Sequence, residues 1–172
     1  MNPQSTPRLL RSLARVYGPK PAIGWLGPDG WTDFTWLDLQ ATAWETARAL
    51  AGSGFEPEQT AVIGCEVSPH AFATELGVHA AAGIAFPVPE GYPHPSIVAI
   101  LREPTTTAAF ASEVWRERIT AAVAESGRDL PVRPIVPLEH RVEAAAAQEG
   151  EDELLAPRID RAGPDTPATI VV

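Results

Sequence analysis

The chain has 172 residues, 45% of them hydrophobic, enough for one globular domain with its own core and too few for two large ones. Thirteen basic residues stand against 22 acidic ones, a formal net charge of −9, and Lys20 is the only lysine, so nucleic acid is not an expected partner. The single cysteine, Cys65, excludes an internal disulfide and a cysteine-based zinc cluster and fits a reducing cytoplasm.

At the N-terminus, Leu9, Leu10, Leu13, Ala14 and Val16/Tyr17 fall at helical spacing, and Gly18-Pro19 stops the pattern. Arg8, Arg11 and Arg15 interrupt any signal-peptide core, and no stretch approaches 18 apolar residues, so no membrane span is expected and the chain reads as cytoplasmic. Residues 21–26 read as a short strand. A turn of Gly27-Pro28-Asp29-Gly30 and an alternating stretch over 31–34 complete a β-hairpin.

The best-formed helix follows Thr35. Trp36, Leu39, Ala43, Ala47 and Leu50 make one apolar stripe, while Gln40, Glu45 and Arg48 face elsewhere. Thr35 and Asp38 stand three apart, as in a capping box, which contributes about 1 kcal/mol. Gly52 and Gly54 are expected to supply the left-handed termination.

Residues 60–65 form a nearly all-apolar run, the pattern of a strand covered on both faces. Ser68-Pro69 reads as an N-cap with proline at the first helical position, and Phe72, Leu76, His79 and Gly83 mark one face of the helix. A second buried strand over 84–89 is cut off by prolines. A short helix over 97–101 then leads to a Thr-rich strand over 106–110. Ser112 is expected to cap a helix carrying Trp115, Ile119 and Val123 and ending near Gly127, and residues 132–136 are a further strand candidate. The stretch 138–163 is weakly patterned: a helix is expected over 141–147, and Glu149, Glu151, Asp152 and Glu153 read as a solvated linker. A loop at 163–167 precedes a final strand over 168–172. Strands alternating with helices of this length give an α/β fold: a layered, mainly parallel sheet with helices on both faces, plus the N-terminal hairpin.

These residues assemble no active site. His70 and His79 are nine steps of about 100° apart on one helix, hence on opposite faces. His94 falls in a Pro-rich loop and His140 follows the last convincing strand. Cys65 ends an apolar strand and reads as a small hydrophobe rather than a nucleophile; Ser68 lacks the GxSxG context and is explained as a cap. Gly24, Gly27 and Gly30 span a hairpin and do not join a strand to a helix, so they form no phosphate loop. The acidic run lacks the EF-hand pattern. Trp25, Trp31, Trp36, Trp44 and Trp115 mostly occupy core-facing positions.

Three segments, taken in order, resemble the start of the adenylate-forming (AMP-binding) ligases: acyl-CoA synthetases and the adenylation domains of nonribosomal peptide synthetases. Phe34-Thr35-Trp36-Leu37-Asp38-Leu39 is similar to the family's Thr/Ser-Tyr-x-Glu-Leu motif, with Trp for Tyr and Asp for Glu. His79-Ala80-Ala81-Ala82-Gly83-Ile84-Ala85-Phe86-Pro87-Val88-Pro89 looks like its Ala-Gly-x-x-x-Val-Pro segment, and residues 47–55 and 60–64 match the helix, glycine and strand between them. Pro164-Asp165-Thr166-Pro167-Ala168-Thr169-Ile170-Val171-Val172 resembles the strand that precedes the family's phosphate loop, and the chain stops before that loop.

The resemblance implies an N-terminal subdomain, residues 1–172, of an enzyme that joins a carboxylic acid to ATP and passes the acyl group to CoA or a carrier-protein thiol. ATP and Mg²⁺ belong to the parent enzyme, whose phosphate loop and lid lysine lie downstream. None is expected to bind this chain, which is expected to be inactive alone and carries no catalytic, cofactor or metal residue. Thr35, Asp38, Gly83 and Pro87 match as structural signatures: a helix cap, a helix terminator and a strand stop. The expected partners are the remaining subdomains, and apolar surface left open to them could also support a homodimer. Two alternatives are a stand-alone scaffold protein derived from the same fold and an unrelated nucleotide-binding module. The latter is disfavoured because no Gly-rich strand-to-helix turn is present.

Overall fold

A computed structural model describes residues 5–27, 30–139, 153–163 and 165–170. Helix α1 (Thr6–Tyr17) is followed by the antiparallel hairpin β1 (Pro21–Gly27) and β2 (Gly30–Thr35). After α2 (Trp36–Gly52) the chain alternates: β3 (Thr60–Gly64), α3 (Pro69–Ala80), β4 (Ile84–Pro87), α4 (His94–Arg102), β5 (Thr106–Ala111), α5 (Arg116–Ser126), β6 (Val132–Pro134). These strands form one parallel sheet in the order β4-β3-β5-β6. A short α6 (Ala156–Arg161) follows. The fold is the layered α/β arrangement expected from the alternation, hairpin included.

Every residue of β3 is buried, because the sheet is covered on both faces. The period of two sorts its side chains between two cores. Ala61 and Ile63 of β3, Ala85 of β4, and Ala108 and Phe110 of β5 point toward α1, α2, α3 and α6. Val62, Phe86, Ala109 and Ala111 point the other way, into a core built with Ile97 and Leu101 of α4 and Ile119 and Ala122 of α5.

Helix α2 begins where the sequence places it. The Thr35 hydroxyl accepts from the Asp38 N–H at 3.1 Å and the Asp38 carboxylate accepts from the Thr35 N–H at 2.8 Å, which completes the capping box. Leu39, Ala43, Ala47 and Leu50 are buried as expected and Trp36 is half-buried. Helix α2 packs on α3 at Gly77, where a Cβ would lie 2.5 Å from Thr46 Cβ and 2.8 Å from the Ala43 carbonyl. At the end of α2 only Gly54 adopts a positive φ, 84°; Gly52 remains helical.

Several expectations need correction. Phe72 does not share the buried face of Leu76 and His79: it is 46% exposed. Gly83 does not terminate α3 through a left-handed backbone. Ala82 takes that conformation (φ 61°), and Gly83 is needed because a Cβ would meet the Phe55 ring at 2.5 Å. Ser112 does not cap α5, which starts four residues later; its hydroxyl goes to Glu66. His94 is the first residue of α4, not a loop residue. Trp31 is 74% exposed on the hairpin. Helix α6 falls in the stretch read as weakly patterned, where Leu155, Ile159 and Ala162 are buried at helical spacing. In place of the final strand expected over 168–172, the described residues form an isolated parallel bridge, Thr169 to Ala85, rather than a strand. His140, the helix over 141–147, the acidic residues 149–152 and residues 171–172 lie outside the described residues.

Candidate functional site

Strand order creates the site. The β3–α3–β4 crossover runs on one face of the sheet and β5–α5–β6 on the other, so the chain diverges between β3 and β5 and leaves a crevice at their C-terminal ends. A cavity of about 650 Å³ opens there. Ile63, Pro87, Val88, Trp115 and Ala71 line its depth, and Val67, Phe72, Val114 and Ile170 stand at it with exposed side chains. Its charged groups are Glu66, Glu75, Glu90 and Arg118. Gly64 lets α5 approach the end of β3, since a Cβ there would lie 2.4 Å from Ile119 Cγ1.

Most polar groups at the cavity already have an occupation. Glu66 accepts a 2.7 Å hydrogen bond from the Ser112 hydroxyl, tying the end of β3 to the end of β5, and that bond holds its carboxyl below the usual carboxylate range. The Ser68 hydroxyl accepts from the Ala71 N–H at 3.2 Å as the cap of α3. Burial pushes the Cys65 thiol up, outweighing its 3.6 Å contact with Ser68. The Arg118 guanidinium stacks over Trp115, 4.8 Å from the ring centroid, and donates to the Tyr92 carbonyl.

The three described histidines have partners too. His70 Nδ1 accepts from the Leu138 N–H at 2.9 Å, and His94 Nε2 lies 3.2 Å from the Glu125 carboxylate. His79 is buried and contacts Ala168 and Thr169. Among the described residues no histidine lines the cavity, and Glu66, the carboxylate beside Cys65, is held by the Ser112 hydroxyl.

The cavity is a poor host for a triphosphate. Three carboxylates face one guanidinium, and the turns leaving β3 and β5 (Cys65-Glu66-Val67-Ser68 and Ser112-Glu113-Val114-Trp115) contain no glycine to let backbone N–H groups close around phosphate. Among the described residues no group of three or more His, Cys, Asp or Glu is placed to hold a metal ion. What the arrangement offers is an apolar receptacle, open on one side, with fixed polar edges.

The AMP-binding enzyme family matches the chain over residues 10–171. The chain belongs to this family. Solved structures share the AMP-binding fold at low identity. The nonribosomal peptide synthetase FmoA3 (S1046A) superposes with a TM-score of 0.68 at 18% identity, over 97% of this chain and 16% of that one. The N-terminal domain of FACL13 from Mycobacterium tuberculosis gives 0.62 at 20%, over 96% and 37%. A benzoate CoA ligase from Burkholderia xenovorans LB400 gives 0.64 at 21%, over 98% and 30%. The chain thus spans well under half the length of each. No curated protein matches it. No described helix is long and apolar enough to cross a membrane.

The matched signature positions fall where a scaffold needs them. Thr35 and Asp38 cap α2, Gly83 makes room for Phe55, and Pro87 ends β4 at the cavity. The cavity itself has no local signature, because it depends on which strands become neighbours.

Proposed function

We propose that this chain is the N-terminal lobe of an ATP-dependent acid–thiol ligase and supplies scaffold and one wall of a substrate-handling cleft, but no reacting group. In the parent reaction a carboxylate attacks the α-phosphate of ATP, giving an acyl-adenylate and pyrophosphate. A thiol of CoA or of a carrier protein then takes the acyl group and AMP leaves. ATP, Mg²⁺ and the acceptor engage segments downstream of this lobe, and the chain alone is inactive.

The observation that carries this reading is the cavity's combination of place and chemistry. It sits at the C-terminal ends of the strands where α/β proteins bind ligands, in a chain of the AMP-binding family, yet Glu66, Ser68, Glu75 and Arg118 there serve structural bonds. Val67 and Val114, 90% and 80% exposed, stand at this one opening beside Phe72 and Ile170, as expected of a face that the remaining subdomains cover. Left uncovered, the same face is a route to homodimers. A cytoplasmic setting suits the half-buried free thiol of Cys65.

The test compares this chain with the polypeptide read through the coding sequence beyond Val172, using ATP–pyrophosphate exchange with a panel of aliphatic, aromatic and amino acids. Exchange by the longer protein with at least one acid, and none by the 172-residue chain, is the expected result. Robust exchange by the short chain would refute the reading, and a stop codon directly after Val172 would turn it toward the scaffold alternative.

A further inference from the structure

The segment 165–170 meets β4 through two backbone hydrogen bonds, and side chains of α3 reach it at Ala168 and Thr169. Ala168 and Ile170 bond to β4 through backbone alone: the Ala85 N–H donates to the Ala168 carbonyl at 2.7 Å and the Ile170 N–H donates to the Ala85 carbonyl at 2.9 Å. Between them, the Thr169 hydroxyl donates to Glu75 Oε1 at 2.7 Å. His79 Nε2 lies 2.8 Å from the Ala168 carbonyl and 3.1 Å from Thr169 Oγ1.

Counting donors fixes the imidazole. The Ala168 carbonyl can only accept, and the single hydroxyl proton of Thr169 is committed to Glu75, so both neighbours of Nε2 are acceptors and Nε2 carries the hydrogen. Nδ1 is then a bare lone pair, buried and without a partner. Leaving that atom unsatisfied is costly, and phenylalanine or leucine would fill the space without the penalty. A core-filling role alone therefore does not explain a histidine here; the donor at Nε2 does.

We propose that Glu75 and His79 act together as a register lock on Thr169, holding the segment 165–170 on the β4 edge in the one register that sets Ile170 at the cavity. The physical need is plain. A bridge of two backbone hydrogen bonds can slip along an edge strand, and a slip of one residue reverses which side chains face each way. Thr169 is specified by two side chains one helical turn apart on α3, Glu75 and His79, and only a hydroxyl bearing one donor and one acceptor meets both. Both are positioning residues: Glu75 acts through Thr169, and His79 acts through Thr169 and the Ala168 carbonyl. The lock stands on this geometry whether or not the ligase reading holds.

Amide hydrogen exchange on the intact chain tests it, with the Ala85 and Ile170 amides as reporters and Val62 and Ile63 in β3 as internal references. Thr169→Val, which keeps the shape and removes the hydroxyl, should speed exchange at both reporters about tenfold or more and leave the β3 amides unchanged. Thr169→Ser should retain protection. His79→Phe, which removes the donor to both Ala168 and Thr169, should also speed exchange at both reporters, and His79→Gln, which keeps an N–H donor, should recover most of the protection. If His79→Phe does not fold, the Val and Ser variants at position 169 decide. Unchanged reporter exchange in Thr169→Val, or loss spread evenly through the sheet, overturns the lock.

Discussion

Replacing Gly77 by alanine should destabilise the protein although alanine is the better helix former. The α2–α3 seam sets the magnitude. A Cβ on Gly77 would sit 2.5 Å from Thr46 Cβ and 2.8 Å from both Thr46 Cγ2 and the Ala43 carbonyl oxygen. Ordinary carbon contacts need about 3.5 Å or more, so α3 must retreat from α2 by about 1 Å. A gap of that size forfeits a quarter to a half of each contact's attraction along a seam that buries Ala43, Ala47, Ala73 and Leu76. Because one obstacle is backbone and cannot rotate away, the cost belongs at the upper end of the overpacking range, about 3 kcal/mol. The gain in helix propensity returns about 1 kcal/mol. The net loss of about 2 kcal/mol should lower Tm by about 4–8 °C for a domain of this size. Gly52→Ala is the control. Gly52 ends the same α2 helix with nothing within 4 Å of its missing Cβ, so the identical chemical change should be neutral or stabilise by up to about 1 kcal/mol. Urea unfolding followed by tryptophan fluorescence and by far-UV circular dichroism measures both. If Gly77→Ala proves as stable as Gly52→Ala, the close helix contact is not what Gly77 provides.

Thr35→Ala should cost about 1 kcal/mol in the same urea experiment by opening the capping box and leaving the buried Asp38 carboxylate short of a partner. Burial holds His79 below its ordinary 6.5, against the pull of the Glu75 carboxylate, so below that pH the unfolded chain binds a proton that the folded chain does not. This contribution to stability is therefore complete above pH 6.5 and is lost as the pH falls. The stability difference between the wild type and His79→Gln should narrow between pH 7.5 and 5.5, and a constant difference would contradict the assignment. Because burial pushes the Cys65 thiol up, its reaction with a disulfide reagent at pH 7.5 should be slower than that of free cysteine and should accelerate when the chain is unfolded in urea.

What could be read from sequence was local or periodic. Thr35 and Asp38 announce the start of α2 within one turn, and the unbroken apolar run of β3 states that both faces of the sheet are covered. Ser112 misled because a serine before a helical pattern fits a cap, whereas the turn at 112–115 delays α5 and frees the hydroxyl for Glu66, 46 residues away. Helix α6 had a signal, Leu155, Ile159 and Ala162 at intervals of four and three, but six residues among charges are easily passed over. The cavity needs the β4-β3-β5-β6 order, which no local pattern encodes, and the role of His79 needs a partner 90 residues along the chain.

Under the proposed role this lobe has no nucleotide site of its own. Calorimetric titration of Mg–ATP into the 172-residue chain at millimolar concentration addresses it directly. A featureless titration indistinguishable from buffer dilution is the predicted result; a saturable isotherm of one ATP per chain, lost in a variant of a cavity residue such as Arg118→Ala, would contradict it.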